Sequence, residues 1–147
     1  MVIWNGLGDL PHFNPDLDNA TPPAAVAEFR MKLTEADAVL ISSPEYAHGV
    51  PGVLKNALDW VVGSGEFVYK PVSLINASPR STHAQASLTE TLTVMTATLV
   101  PDACRSLPVP GKSIDEAGIL ASPEVAGALR SAIEALVQAA MNQQTEK

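Results

Sequence analysis

Two short segments in the middle of the chain have the hydrophobic pattern of strands buried in a parallel sheet. Residues 38–41 are an unbroken apolar run, and residues 71–77 are mostly apolar. Strands that are covered on both faces have such runs, whereas half-exposed strands alternate between apolar and polar residues. We therefore predict two consecutive parallel strands. The apolar opening 1–4 and residues 105–109 are further strand candidates, each bounded by glycine or proline.

Helices are predicted around these strands, because apolar residues there recur every three or four positions. The clearest helix extends from Val50 to Val61, and the third is expected to continue to Leu99, just before Pro101. The other three helices are expected to begin at residues that favour helix starts, a hydroxyl group or a proline: Thr21-Pro22-Pro23, Thr82 with Gln85, and Ser122-Pro123. This alternation predicts a three-layer α/β domain with a parallel sheet and helices on both faces.

The composition is that of one globular domain. The 147 residues are 46% hydrophobic and only 5% aromatic, so aliphatic side chains must form most of the core. We expect one domain over residues 1–142 and a polar tail over 143–147. The formal charge of −7 argues against a nucleic-acid partner, and no apolar run is long enough for a membrane span or a leader peptide. The lone Cys104 excludes an intrachain disulfide, and we expect a cytoplasmic protein.

The loops that follow the two predicted strands are the candidate functional site. Residues 43–50 and 78–82 should meet at one edge of the sheet, because the carboxyl ends of parallel neighbours point the same way, and ligands of such sheets bind at this edge. Each loop also enters a helix, whose first backbone N–H groups attract carbonyl or anionic groups. A planar heterocycle with amide-like edges would suit such a site.

Two other kinds of site can be drawn from the sequence, and neither is favoured. A hydrolase triad of Ser43, His48 and Asp59 lacks the nucleophile-elbow pattern that should surround the serine. The three histidines, His12, His48 and His83, lack metal-ligand spacing, so we predict no metal site.

Residues 43–60 carry a longer and more specific pattern, SPEYAHGVPGVLKNALDW. It resembles the signature of the NAD(P)H-dependent FMN reductases, a family with a flavodoxin-like fold, which reads roughly SPEYN-x-x-xPGxLKNALDW. Residues 77–80, ASPR, resemble the second flavin loop of that family, and the order of predicted elements agrees through the last helix. The resemblance implies that residues of both loops hold the flavin ring, largely through backbone groups: Pro44, Glu45, Tyr46, Ala47, His48, Ser78, Pro79 and Arg80.

The resemblance also implies an activity. NAD(P)H would reduce bound FMN, and the electrons would pass to a small acceptor such as a flavin, a quinone, an azo compound or a metal oxyanion. No side chain is assigned as catalytic, because the cofactor supplies the redox chemistry. Since family members are often dimers or tetramers, we expect a homodimer or homotetramer. The choice between NADH and NADPH stays open. So do two alternatives, a flavin-binding electron carrier without nicotinamide chemistry and a truncated non-catalytic paralogue.

One departure from the family signature lies within the first loop. Ala47 stands where the family has Asn, so a ring contact at this position would come from backbone atoms. His48 adds a polar or aromatic neighbour for the flavin or the substrate. Glu45 is expected to contribute its backbone, with its carboxylate in solvent.

A second departure concerns the start of the chain. The family opens with a strand, a phosphate-binding loop and a helix, and from the comparison with that pattern we expect this unit to be missing from the chain that begins at Met1. A start codon assigned too late, a fragment, and a variant completed by another chain would each explain it, and we favour the first. Without that loop, Arg80, Ser81 and Thr82 at a helix start are the best remaining anion site, although a plain helix cap with a solvated arginine is the simpler interpretation.

Overall fold

A parallel sheet forms the centre of the molecule. The computed structural model describes residues 1–78, 80–107, 109 and 114–145. Within these residues the sheet has four strands: β1 (Val39–Ser42), β2 (Pro71–Asn76), β3 (Thr98–Leu99) and β4 (Arg105–Ser106). β2 is central, with β1 along one edge and both β3 and β4 along the other. The predicted parallel pairing of the first two strands is confirmed, in a register that runs from Val39 opposite Val72 to Ser42 opposite Ile75.

Five α-helices surround this sheet within the described residues: α1 (Ala24–Glu35), α2 (Gly52–Val62), α3 (His83–Val94), α4 (Glu116–Ala121) and α5 (Pro123–Thr145). Val72 and Leu74 of β2 pack in one apolar cluster with residues of α1, α2 and α3. Ile75 belongs to a second cluster, formed with residues of α5 and with Leu107, which follows β4. Because neighbouring residues of a strand point to opposite faces, these two clusters lie on the two faces of the sheet. The predicted three-layer α/β architecture is confirmed.

The second edge of the sheet is a strand interrupted by a turn. β3 pairs with the start of β2 and β4 pairs with its end. Between them, the Ala103 N–H donates to the Val100 carbonyl. The buried Ser73 of β2 donates its hydroxyl hydrogen bond to the Ala103 carbonyl at 2.7 Å, and the Cys104 Sγ accepts one from the Leu74 N–H at 3.4 Å. Side chains thus replace the backbone ladder where the edge strand is broken.

Several predicted element ends are wrong. The third helix ends at Val94 rather than continuing to Leu99, because Thr96 adopts a left-handed backbone with φ of 61° and Leu99 pairs with β2. The opening residues 1–4 form no strand. Instead Trp4 stacks on Phe29 of α1, with 4.6 Å between ring centroids.

The predicted start of α1 is wrong and that of α5 is confirmed. The cap of α1 is Pro23 rather than Thr21, whereas the Ser122 hydroxyl accepts a hydrogen bond from the Val125 N–H at 3.4 Å, as a cap of α5 should. The α4 helix is not predicted from the sequence. Its cap is Asp115, whose carboxylate accepts from the Gly118 N–H. Residues 143–145 of the predicted polar tail are helical and belong to α5.

Helix α2 anchors the segment that precedes α1. The Asn56 amide donates to the Pro11 carbonyl and accepts from the Phe13 N–H, at 3.0 and 2.8 Å. The Trp60 side chain, which is 0% exposed, also donates its Nε1–H to the Pro11 carbonyl at 2.8 Å. Arg30 of α1 donates a hydrogen bond to the backbone carbonyl of Trp60 and so connects α1 to α2. Asn56 and Trp60 of the long motif therefore have a structural role, because they fix the segment around Pro11 and Phe13 to helix α2.

None of the helices in the described ranges combines the length and the hydropathy that crossing a bilayer requires.

Candidate functional site

The loops after β1 and β2 enclose a cleft at the carboxyl edge of the sheet. Its volume is about 340 Å³. Residues of both loops line it, several of them with hydroxyl groups: Ser42, Ser43, Pro44, Glu45, Ala77, Ser78 and Ser81. The two loops meet because β1 and β2 are parallel neighbours in register, as the sequence predicted. Pro44, Glu45 and Ser78 of the predicted site residues line the cleft, while Pro79 lies outside the described residues.

The second loop takes its shape from Asn76, the last residue of β2. The Asn76 Nδ2 donates to the Ser81 carbonyl at 2.9 Å, and the Asn76 Oδ1 accepts from the Ser78 N–H at 3.0 Å. A turn completes the loop, in which the Ser81 N–H donates to the Ser78 carbonyl at 3.0 Å. An amide side chain can donate and accept at once, so this one buried asparagine fixes both ends of the turn. Sequence reasoning took Asn76 only as a strand residue.

The tip of the first loop is a tight hairpin turn. The Tyr46 and Gly49 backbones exchange two hydrogen bonds, and the residues between them, Ala47 and His48, have left-handed φ values of 49° and 60°. This geometry favours Asn and Gly at both central positions. The side chains of Tyr46 (68% exposed) and His48 (75% exposed) project into solvent at the rim of the cleft. The tip is therefore held in a conformation that its own sequence disfavours.

Replacing Ala47 with asparagine should relieve this strain. An alanine in the left-handed region costs about 1 kcal/mol, and asparagine tolerates that region better. We expect Ala47→Asn to raise the free energy of unfolding by up to about 1 kcal/mol in urea denaturation. The matched control is Ala27→Asn at an exposed position of α1, which should lower it by about 0.5 kcal/mol through helix propensity. Equal destabilisation by both variants would contradict the left-handed turn.

Glu45 links the first loop to helix α3. Its Oε2 accepts a hydrogen bond from the Ala84 N–H at 2.8 Å, and its Oε1 lies 3.3 Å from the His48 Nδ1. The Ala84 N–H is the main cause that lowers the pKa of the Glu45 carboxyl below its usual value. The hydrogen bond of His48, the His83 N–H and the charge of His83 lower this pKa further, and burial opposes them. The Glu45 side chain is only 9% exposed, so the expected solvated carboxylate is wrong.

This contact also changes the interpretation of the α3 start. Thr82 makes no side-chain cap. Its backbone is already helical, with φ of −95° and ψ of −36°, whereas a capping residue is normally extended. The Glu45 carboxylate accepts instead from the N–H of Ala84, the second residue of the helix. Ser81 is buried, whereas Arg80 and Thr82 are exposed. The carboxylate that this helix start already holds also repels a second anion. The simpler interpretation, with Arg80 in solvent, is therefore still favoured over an anion site at this helix start.

The structure does not assemble the hydrolase triad. The Ser43 hydroxyl donates to the Pro44 carbonyl at 3.1 Å, Asp59 pairs with Lys55, and His48 pairs with Glu45. Across the described ranges, no three histidine, cysteine or acidic side chains form a group suited to a metal ion. The chemistry available at the cleft is therefore that of a binding site lined by hydroxyl and backbone groups.

His48 and His83 form a contact that sequence reasoning missed. Their rings meet edge to face, with 4.3 Å between centroids and 72° between planes. The two residues are 35 positions apart, one in the first loop and one at the start of α3. Only the parallel pairing of β1 and β2, which brings both loops to the same edge, offered a signal of this contact.

Comparisons with known proteins agree on one family. A family model described as NADPH-dependent FMN reductase matches residues 2–109. A quinone reductase of Pseudomonas putida is 42% identical over 78 residues, which are 50% of this chain and 41% of that protein. An NADPH:quinone oxidoreductase of Arabidopsis thaliana is 51% identical over 60 residues, which are 40% and 31% of the two chains. The matches thus span less than half the length of these relatives.

Solved structures share the fold over a larger part of the chain. FerB, a flavoenzyme NAD(P)H:(acceptor) oxidoreductase from Paracoccus denitrificans, is 29% identical with a TM-score of 0.71, covering 92% of this chain and 78% of that one. An oxidoreductase of Corynebacterium diphtheriae has a TM-score of 0.59 at 16% identity, covering 82% and 63% of the two chains, and is alike in fold alone. The predicted flavodoxin-like sheet is confirmed.

Proposed function

Because this chain belongs to the NADPH-dependent FMN reductase family, we propose that its two-loop cleft binds FMN and serves NAD(P)H-dependent reduction of a small acceptor, such as a quinone or a flavin. The observation that carries the proposal is the cleft itself. It is about 340 Å³ in volume, lies at the carboxyl edge of the sheet, and is built from the two loops that carry the family pattern. Small-molecule sites commonly have volumes from about 300 Å³ upward. The relatives named quinone reductases support a quinone as acceptor.

The residues of the cleft fit a planar ring with polar edges. Ser43 and Ser78 place hydroxyl groups on opposite loops, and Pro44 adds a flat apolar surface. We propose that Pro44, Glu45 and Ser78 contact the ring by backbone atoms. The remaining residues of the proposed site would act at the rim of the cleft. Four of them are exposed, Tyr46, Ala47, His48 and Arg80, and the fifth is Pro79, which precedes Arg80 in sequence.

When bound, FMN would supply the redox chemistry between NAD(P)H and the acceptor. The protein would hold and orient the flavin and set the electrostatic environment of its ring. The hydroxyl groups of the cleft would orient the polar edges of the ring. Glu45 is an ionisable residue of the cleft lining, and both of its carboxylate oxygens have partners within the protein. We further propose one domain over residues 1–142, a homodimer or homotetramer as assembly, and the cytoplasm as location.

An FMN titration followed by a turnover assay tests this function. We expect saturable quenching of FMN fluorescence at one flavin per chain, and then oxidation of NADPH or NADH that depends on added benzoquinone. Saturable binding without turnover would instead support the flavin-binding electron carrier, which has no nicotinamide chemistry of its own. Failure to bind FMN would refute the proposal, and a defined oligomer without flavin would favour the non-catalytic paralogue.

A further inference from the structure

We propose that Glu45 is a positioning residue, whose carboxylate joins the first site loop to helix α3 and so fixes the width of the cleft. The inference rests on the proposed function of the cleft as a flavin site. It differs from a direct role in binding, because both carboxylate oxygens of Glu45 contact groups of the protein itself.

The need for such a link follows from where the sheet ends. The pairing of β1 with β2 stops at Ser42 opposite Ile75. Beyond that point no backbone ladder joins the two loops within the described residues, although both line the same cleft. The hydrogen bond from the Ala84 N–H to the Glu45 Oε2, 2.8 Å long, connects residues 39 positions apart across this gap. It therefore joins the first loop, which lines the cleft, to the helix that follows the second loop.

The chemistry of the link favours a charged carboxylate. The first N–H groups of α3 carry a partial positive charge, and a carboxylate placed there is stabilised by the helix dipole and by a charge-assisted hydrogen bond. The titratable groups that face this carboxylate are His48 from its own loop and His83 from α3. Since the rings of His48 and His83 are in contact, the three side chains form one connected unit that includes the hairpin tip.

The link can be tested first without any ligand. Amide hydrogen exchange of Ala84 should be about tenfold faster in Glu45→Ala than in the parent protein, and only partly faster in Glu45→Gln, which keeps an acceptor oxygen. The control is Glu90→Ala, which removes an exposed carboxylate from the same helix and should leave Ala84 unchanged. Unchanged exchange in Glu45→Ala would overturn the proposal.

A pH titration gives a signature that a merely structural change would not produce. The pKa of Glu45 is lowered in the folded protein, so the charged link is present at pH 7 and is lost as the pH falls through that lowered value. The Ala84 amide resonance should therefore shift in this acidic range in the parent protein and stay constant there in Glu45→Gln. A shift in the acidic range in Glu45→Gln would contradict the assignment.

Flavin binding then tests the positioning role. We expect the Kd for FMN to rise about tenfold in Glu45→Ala, less in Glu45→Gln, and not at all in Glu90→Ala. Faster exchange of Ala84 with an unchanged Kd would show a link that does not position the site, and would overturn the proposal. If the parent protein fails to bind FMN, the proposed function is refuted, while the exchange and pH experiments still decide whether the link exists.

Discussion

A leucine at position 77 is expected to weaken FMN binding by at least about a hundredfold, which is close to 3 kcal/mol. Ala77 follows β2 directly, lines the cleft and is exposed. The larger side chain would occupy space that a flat ring requires, and a rigid ring cannot move around it. The measurement is the same fluorescence titration with FMN, extended to a protein concentration at which weak binding is detectable.

The stability of the variant separates blocked binding from disturbed folding. Ala77 is exposed and has no left-handed backbone, so Ala77→Leu should change the free energy of unfolding by less than about 0.5 kcal/mol. Ala27→Leu in α1 adds the same atoms at an exposed position far along the chain from both loops, and it should leave the Kd unchanged. Unaltered FMN affinity in Ala77→Leu would place the ring outside this cleft.

The largest effect on stability is expected at Trp60. Its side chain is completely buried, packs edge to face on Phe13 at 5.1 Å, and donates to the Pro11 carbonyl. Trp60→Ala should lower the free energy of unfolding by about 3–5 kcal/mol, because it leaves a cavity and a carbonyl with one donor fewer. Chemical denaturation followed by circular dichroism measures this loss.

A second variant divides the loss between packing and hydrogen bonding. Trp60→Phe keeps an aromatic ring and removes the indole N–H, while Asn56 still donates to the Pro11 carbonyl. We expect Trp60→Phe to cost clearly less than Trp60→Ala, by at least about 1 kcal/mol. Similar losses in the two variants would mean that the indole N–H, rather than the volume of the ring, accounts for the contribution of Trp60.

The parts of the fold that depend on local patterns could be predicted from the sequence. The apolar run at 38–41 and the helical periodicity after Val50 match β1 and α2 within two residues. The interruption between β3 and β4 could not be predicted, because it depends on the Ser73 hydroxyl bonding a carbonyl 30 positions away. The start of α3 could not be predicted in full either. Thr82 and Gln85 have capping-box spacing, but the side-chain acceptor at this helix start is the distant carboxylate of Glu45, which bonds the Ala84 N–H.

In the candidate site, too, the features that follow from local patterns could be predicted and those that depend on distant contacts could not. Parallel strands in sequence order were enough to predict that loops 43–50 and 78–82 would share an edge. The left-handed turn was not predicted, because Ala47-His48 lacks the Asn-Gly signal that such turns usually carry. The role of Glu45 was not predicted either. Its partner, the Ala84 N–H, can be identified only once the distance between the two loops is known.

The break between β3 and β4 has a consequence for the behaviour of the protein in concentrated solution. An uninterrupted edge strand offers a row of N–H and C=O groups to which a strand of another molecule can bind, and such rows promote aggregation. Along the described residues this edge consists of two strands of two residues each, separated by a turn. Neither piece is long enough to guide a foreign strand into register. The interruption that Ser73 stabilises therefore also protects this edge of the sheet from self-association.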